Sequence, residues 1–261
     1  MISNEDIGKA LKKIEAAHDV VVIMAIEAGS RAYGLSSISS DYDVRFVYAH
    51  KEDWYLSISL EEQADHVDLS TLDGLDLHGW DLRKALRLFW KSNSSFVEWL
   101  QSDLIYLERT HFRSQAQRLL ADIYSIGIGI HHYQSLAKRN FKRMSTDTLD
   151  PKVMLSSLRP LLTALWMSQY QKPAPMRLNY LLSTLTISPE LQSDINSLVE
   201  RKCRGAILTD RSEFVRLYEF IESTLAAPEL THIQKISRDN NAHLLSNLFR
   251  QTLSEAWAEP Y

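Results

Sequence analysis

From Val20 to Ile26 the chain reads V-V-V-I-M-A-I, seven apolar and mostly β-branched residues without a break. Such a run suits a strand covered on both faces. Ahead of it, Ser3 or Asn4 caps a helix whose Ile7, Leu11 and Ile14 share one face while lysines take the other, so the chain opens as a helix and strand of an α/β layer. The run ends in Gly29-Ser30-Arg31-Ala32-Tyr33-Gly34, a turn into a short helix closed by Gly34, whose unpaired backbone N–H groups attract an anion. Ten residues after Ser30 the Ser-rich loop gives way to Asp41-Tyr42-Asp43-Val44-Arg45-Phe46-Val47-Tyr48. This alternation predicts a strand with Asp41, Asp43 and Arg45 on one side.

The 261 residues suffice for one large or two modest domains, and a formal charge of −4 provides no global basic field for a long nucleic acid. Cys203 is the single cysteine, and no apolar run reaches the length of a membrane span. With no signal-like segment at the start, a cytoplasmic protein without membrane association is the expectation.

Further along, Trp54 to Leu60 alternates as a strand would, and Leu75-Asp76-Leu77-His78 reads as a short strand with an acid between leucines, a position that requires a partner. Asp81 caps a helix that carries Leu82, Ala85, Leu86 and Phe89 inward and a basic stripe of Lys84, Arg87 and Lys91 outward. Ser95 to Glu98 has the form of a capping box. Beyond about residue 110 strand patterning stops, and helices are expected over 112–126, 130–144, 151–170, 177–185, 189–204, 210–225 and 240–257. Pro160 should kink or end the third of these, and Asp210 with Glu213 should cap the sixth. The expected organisation is a catalytic domain over 1–110 and an all-helical domain over 111–261.

Nucleotidyl transfer needs metal ions to neutralise phosphate charge and groups that align the reacting oxygens. Asp41 and Asp43 on one strand face suit two Mg²⁺ ions, with Mn²⁺ as the alternative, and Asp76 is the choice for a third carboxylate. Two competing readings stand beside it: Asp76 as a strand acid paired with Arg83 or Lys84, and Asp68 as the third carboxylate instead. Gly29 and Ser30 would hold the β- and γ-phosphates, Arg31 would reach a phosphate or brace the turn, Lys84 is a phosphate candidate, and Arg45 would orient a carboxylate. Lys138, Arg139, Lys142 and Arg143 form the best local basic cluster for RNA.

Gly29-Ser30 followed at that distance by Asp41-Tyr42-Asp43 resembles the signature of the polymerase-β-like nucleotidyltransferase superfamily. The wider text, E-A-G-S-R-A-Y-G-L-S-S-I-S-S-D-Y-D-V-R with D-L-H-G-W-D-L-R-K-A-L-R-L-F-W-K-S-N at 76–93 and E-W-L-Q-S at 98–102, is similar to the RlaP-type (YcgL-like) family of predicted nucleotidyltransferases linked to RNA repair. The resemblance implies an α/β (α+β) catalytic domain with a small mixed sheet followed by an all-α domain. It also implies an NTP substrate, RNA as acceptor, Gly29 and Ser30 as phosphate turn, and Asp41, Asp43 and Asp76 as metal ligands. A protein hydroxyl as acceptor, or a non-catalytic nucleotide- or RNA-binding module, are the alternatives. Departures from the family text fall at Ala28, Ser95, Asp103-Leu104 and Lys152 to Ser157, none of them a metal ligand.

Overall fold

The structure, a computed structural model, describes residues 2–70, 74–143, 150–205, 214–227 and 241–258. In chain order its elements are α1 (Asn4–His18), β1 (Val21–Glu27), α2 (Gly29–Ala32), β2 (Tyr42–Ala49), α3 (Glu52–Tyr55), β3 (His66–Ser70), β4 (Leu75–Asp81), α4 (Leu82–Trp90), α5 (Ser94–Gln101) and β5 (Ile105–Glu108). Helices follow: α6 (Phe112–Arg118), α7 (Leu120–Ile123), α8 (Ile126–Phe141), α9 (Pro151–Tyr170), α10 (Leu178–Thr184), α11 (Pro189–Cys203), α12 (Val215–Ala226) and α13 (Ala242–Ala256). Among the described residues no helix is long and apolar enough to cross a membrane.

The chain forms two compact units: Met1–Ala32 with Ser40–Tyr124 and Arg238–Tyr261, and Tyr33–Ser39 with Ser125–Ser237. These differ from a single cut at residue 110, which followed the end of strand patterning. Compactness follows contacts instead, and α13 belongs to the unit that holds the sheet.

In the first unit five strands lie in the order β3-β4-β2-β1-β5, with β2 and β4 parallel and the other pairs antiparallel. α1 starts at Ser3, whose hydroxyl accepts from Asp6 N while the Asp6 carboxylate accepts from Ser3 N. Its Ile7, Leu11 and Ile14 enter one core with Val44, Phe46, Leu75 and Leu77. Because side chains alternate along a strand, Asp43, Arg45, Asp76 and His78 fall on the opposite face. Near the far end of β4 the Trp80 indole stacks on Trp99 of α5, centroids 3.8 Å apart.

The strand expected over Trp54 to Leu60 is instead α3 and a 3₁₀ turn at Leu60–Glu62. Aromatic anchoring explains the difference: Trp54 stacks on His50 at 3.9 Å, and the Tyr55 hydroxyl donates to Asp81 Oδ2 at 2.6 Å. The cap of α5 is Asn93, accepting from Phe96 N at 2.9 Å, two residues ahead of the expected Ser95 box.

Asp81 is 1% exposed and also caps α4 by accepting from Arg83 N. Burial pushes its carboxyl up to about 6, against the downward pull of the Tyr55 and backbone hydrogen bonds. A carboxyl raised in the fold stabilises it fully below the ordinary value of 3.8, and that stability is lost as pH rises through about 6. Asp81→Asn removes this proton linkage. In urea unfolding, the wild type should therefore lose stability relative to the variant between pH 4 and pH 7; an offset that stays constant across that window would refute the assignment.

In the second unit α8 and α9 pack together, and α9 continues through Pro160, which does not end the helix. Pro160 has no N–H for the Ser156 carbonyl four residues earlier. Asn140 of α8 supplies the missing donor, its Nδ2 lying 2.8 Å from Ser156 O. Gly205, at φ 69°, closes α11 as expected. The Asp210 and Glu213 pattern lies outside the described residues.

Candidate functional site

Parallel pairing of β2 with β4 sets Asp43 directly opposite Asp76, and antiparallel pairing of β3 with β4 sets Ser70 opposite Asp76 on the other side. Two residues further in, Arg45, His78 and Asp68 form the next row on this face. Arg45 Nη2 lies 3.1 Å from Asp43 Oδ1 and 2.9 Å from Asp76 Oδ2, so a single guanidinium bridges the two carboxylates. The Ser70 hydroxyl donates to the other oxygen of Asp76 at 2.8 Å. Asp76 pairs with neither Arg83 nor Lys84: Arg83 is held by Glu61 and Lys84 by Asp65.

Asp68, the competing third carboxylate, contacts His78 Nδ1 and lies two residues along the ladder from the Asp43–Asp76 pairing. Lys84 is not brought to the Asp43–Asp76 row. It sits beyond Asp81 on α4, past the far end of the strand that carries Asp76, and its ammonium lies 2.7 Å from Asp65. Arg31 braces the loop leading into β2: it donates to Ser40 O at 2.8 Å and Asp41 O at 3.2 Å, with its guanidinium over the Tyr42 ring.

Two glycines make room for the acids. Gly29, at φ 58°, lies so close to Asp43 that a Cβ there would fall 1.9 Å from its Oδ2, and Gly74, at φ 80°, would bring a Cβ within 2.9 Å of Asp41 Oδ1. Ala28 N donates to Asp43 O, and Tyr42 N to Gly74 O, both at 2.8 Å. The turn and the strand are thus tied residue by residue, with Ser30 partly exposed beside them.

Sequence reasoning missed Glu27. Its side chain is wholly buried at the end of β1, where Oε1 accepts from Asp43 N at 2.8 Å and Oε2 accepts from the Tyr106 hydroxyl. An acid closing a continuous apolar run was the available signal, since such a position needs partners. Burial raises the Glu27 carboxyl above its ordinary value. Asp43 is raised as well, through burial first and then the Asp76 and Asp41 charges, while Arg45 opposes them.

Among the described residues no three His, Cys, Asp or Glu side chains are arranged as a ready metal cage. The donor set nonetheless suits a hard divalent cation: Asp43 and Asp76 are neighbours across the ladder, both turned toward one positive group, and the Asp41 side chain belongs to the same acidic end of β2. These carboxylates would hold such an ion.

A model of the RNA repair pathway DNA polymerase beta family matches residues 3–251. The uncharacterized protein YcgL of Bacillus subtilis (strain 168) is 36% identical over 255 residues, covering 95% of this chain and 96% of its own. The crystal structure of a nucleotidyltransferase-like protein from Exiguobacterium sibiricum 255-15 overlaps 97% of this chain and 76% of its own, at 12% identity and a TM-score of 0.31. With the match running through β1, the Gly29 turn, the two acidic strands and most of the helices, the chain belongs to the RNA repair pathway DNA polymerase beta family.

Proposed function

We propose that this chain is a metal-dependent nucleotidyltransferase that moves a nucleoside monophosphate from an NTP onto an RNA end. The acceptor hydroxyl oxygen bonds to the α-phosphorus, the bond from that phosphorus to the bridging oxygen breaks, pyrophosphate leaves, and the hydroxyl proton passes to solvent. The observation that carries this reading is the Asp43–Asp76 pairing beside the Gly29-Ser30 turn. Magnesium held by Asp41, Asp43 and Asp76, with manganese as the alternative, supplies charge neutralisation and activation of the attacking oxygen. Arg45 sets the carboxylate directions, Glu27 fixes the Asp43 backbone, and Ser30 with the turn's N–H groups receives the leaving phosphates. RNA as acceptor follows the family's description, and the exposed Lys138, Arg139, Lys142 and Arg143 offer phosphate contacts.

The test is incubation with Mg²⁺, each labelled NTP and RNA of defined ends. Labelled RNA lengthened by one or more nucleotides is expected. No transfer to RNA together with no NTP binding by calorimetry would overturn the reading. A second reading keeps the site and makes the acceptor a protein hydroxyl, favoured by the net charge of −4. Mass spectrometry separates the two, because only a modified protein gains the mass of a nucleotide.

A further inference from the structure

Between α4 and α13 lies a groove of about 450 Å³, lined also by Tyr55, Leu56 and Leu60. Arg83, Leu86, Arg87 and Trp90 recur at helical spacing along α4, and Leu245, Phe249 and Arg250 face them from α13. Leu86, Trp90, Leu245 and Phe249 make its walls apolar, with Trp90 left 43% exposed. Phe249 meets Tyr55 edge to face at 4.9 Å.

The polar groups of the lining side chains are mostly spent. The Tyr55 hydroxyl donates to Asp81, the Ser246 hydroxyl donates to Ala242 O, Arg83 pairs with Glu61, and Arg250 donates to Asn247. The Arg87 side chain is exposed and, among the described residues, makes no hydrogen bond and no close ion pair, the Glu61 carboxylate acting on it only at a distance. No Asp or Glu lines the groove, although acids outnumber bases in the chain as a whole. What remains is an apolar trough with the Arg87 guanidinium at its edge, its donors free of hydrogen bonds and forming a fork that matches a single carboxylate. The volume falls in the range of small-molecule sites.

We propose that this groove binds a small organic carboxylate with an apolar body, the carboxylate on Arg87 and the body between Trp90 and Phe249. A single guanidinium whose donor fork is open favours a monoanion over a triphosphate, and the apolar walls favour an acyl or aryl body over a sugar. Such a ligand touches both helices at once, so it stabilises the docking of α13 on α4. The site shares no residue with the Asp43–Asp76 row and stands whether or not the transfer reaction is found.

The test uses the full chain and the fluorescent aryl sulfonate 8-anilinonaphthalene-1-sulfonate as probe, with decanoate as competitor. Saturable single-site binding, displaced by decanoate but not by decyltrimethylammonium, is expected, and decanoate should raise the melting temperature. Arg87→Ala, a change at an exposed position, should weaken both ligands about tenfold or more without shifting the ligand-free melt. Ser246→Trp, which fills the trough, should abolish binding. Unchanged binding in Arg87→Ala, equal displacement by the cation, or displacement by ATP or a single-stranded oligonucleotide alone would each overturn the proposal.

Discussion

Replacing Asp43 with Asn is expected to lower nucleotidyl transfer by on the order of 10³-fold while leaving the metal-free protein at least as stable as the wild type. The two halves of this result have one cause. Asp43 is held up from its ordinary carboxyl value by burial and by the charges of Asp76 and Asp41, so its ionised form costs the empty fold free energy at neutral pH. Asn keeps the volume and still accepts from Arg45, whose other contact, to Asp76, is untouched. The fold therefore loses repulsion, whereas the proposed reaction loses a ligand. Transfer rates with saturating Mg²⁺ and melting in chelator would check both; transfer within a fewfold of wild type would remove Asp43 from the reaction, and a large fall in melting temperature would reduce it to a structural acid.

The candidate site was legible in proportion to how local each signal was. Gly29, Asp41 and Asp43 lie in one continuous stretch, where an apolar run, a turn and an alternating strand each announce themselves. Asp76 was legible as a buried-looking acid, but its partner was not: the ladder that sets it against Asp43 joins residues more than thirty positions apart, and no local pattern encodes that register. Lys84 lies away from that row for a related reason. Nearness to Asp76 in sequence is undone by an extended strand, which carries the chain about 3.3 Å further from the site with each residue.

Elsewhere the sequence pattern was overruled by side chains arriving from a distance. The alternation over Trp54 to Leu60 gave way to helical turns because His50 and Asp81 anchor Trp54 and Tyr55. Pro160 stays within a helix because Asn140 of α8 supplies the donor that proline lacks. The return of α13 to the sheet-bearing unit had no local signal at all. It rests on contacts such as Trp257 Nε1 to His50 O at 2.8 Å, which join residues at nearly opposite ends of the numbering.

Gly29→Ala should cost roughly 2–4 kcal/mol of stability and lower transfer as severely as the loss of Asp43, through two separable effects. At φ 58° any Cβ strains the backbone, and here the new atom would also lie 1.9 Å from Asp43 Oδ2 and 2.7 Å from Cγ. The carboxylate cannot stay where it is, and rotating it away breaks its 3.1 Å contact with Arg45 and takes it from the face it shares with Asp76. In an Asp43→Ala background those two atoms are absent, and only the 3.2 Å approach to Cβ remains, so Gly29→Ala should then cost little more than the backbone strain. Urea unfolding of the two single variants and the double variant measures this coupling directly. A double variant less destabilised than the sum of the singles would assign Gly29 to the seating of the Asp43 carboxylate; strict additivity would leave Gly29 a turn residue with no bearing on the acid.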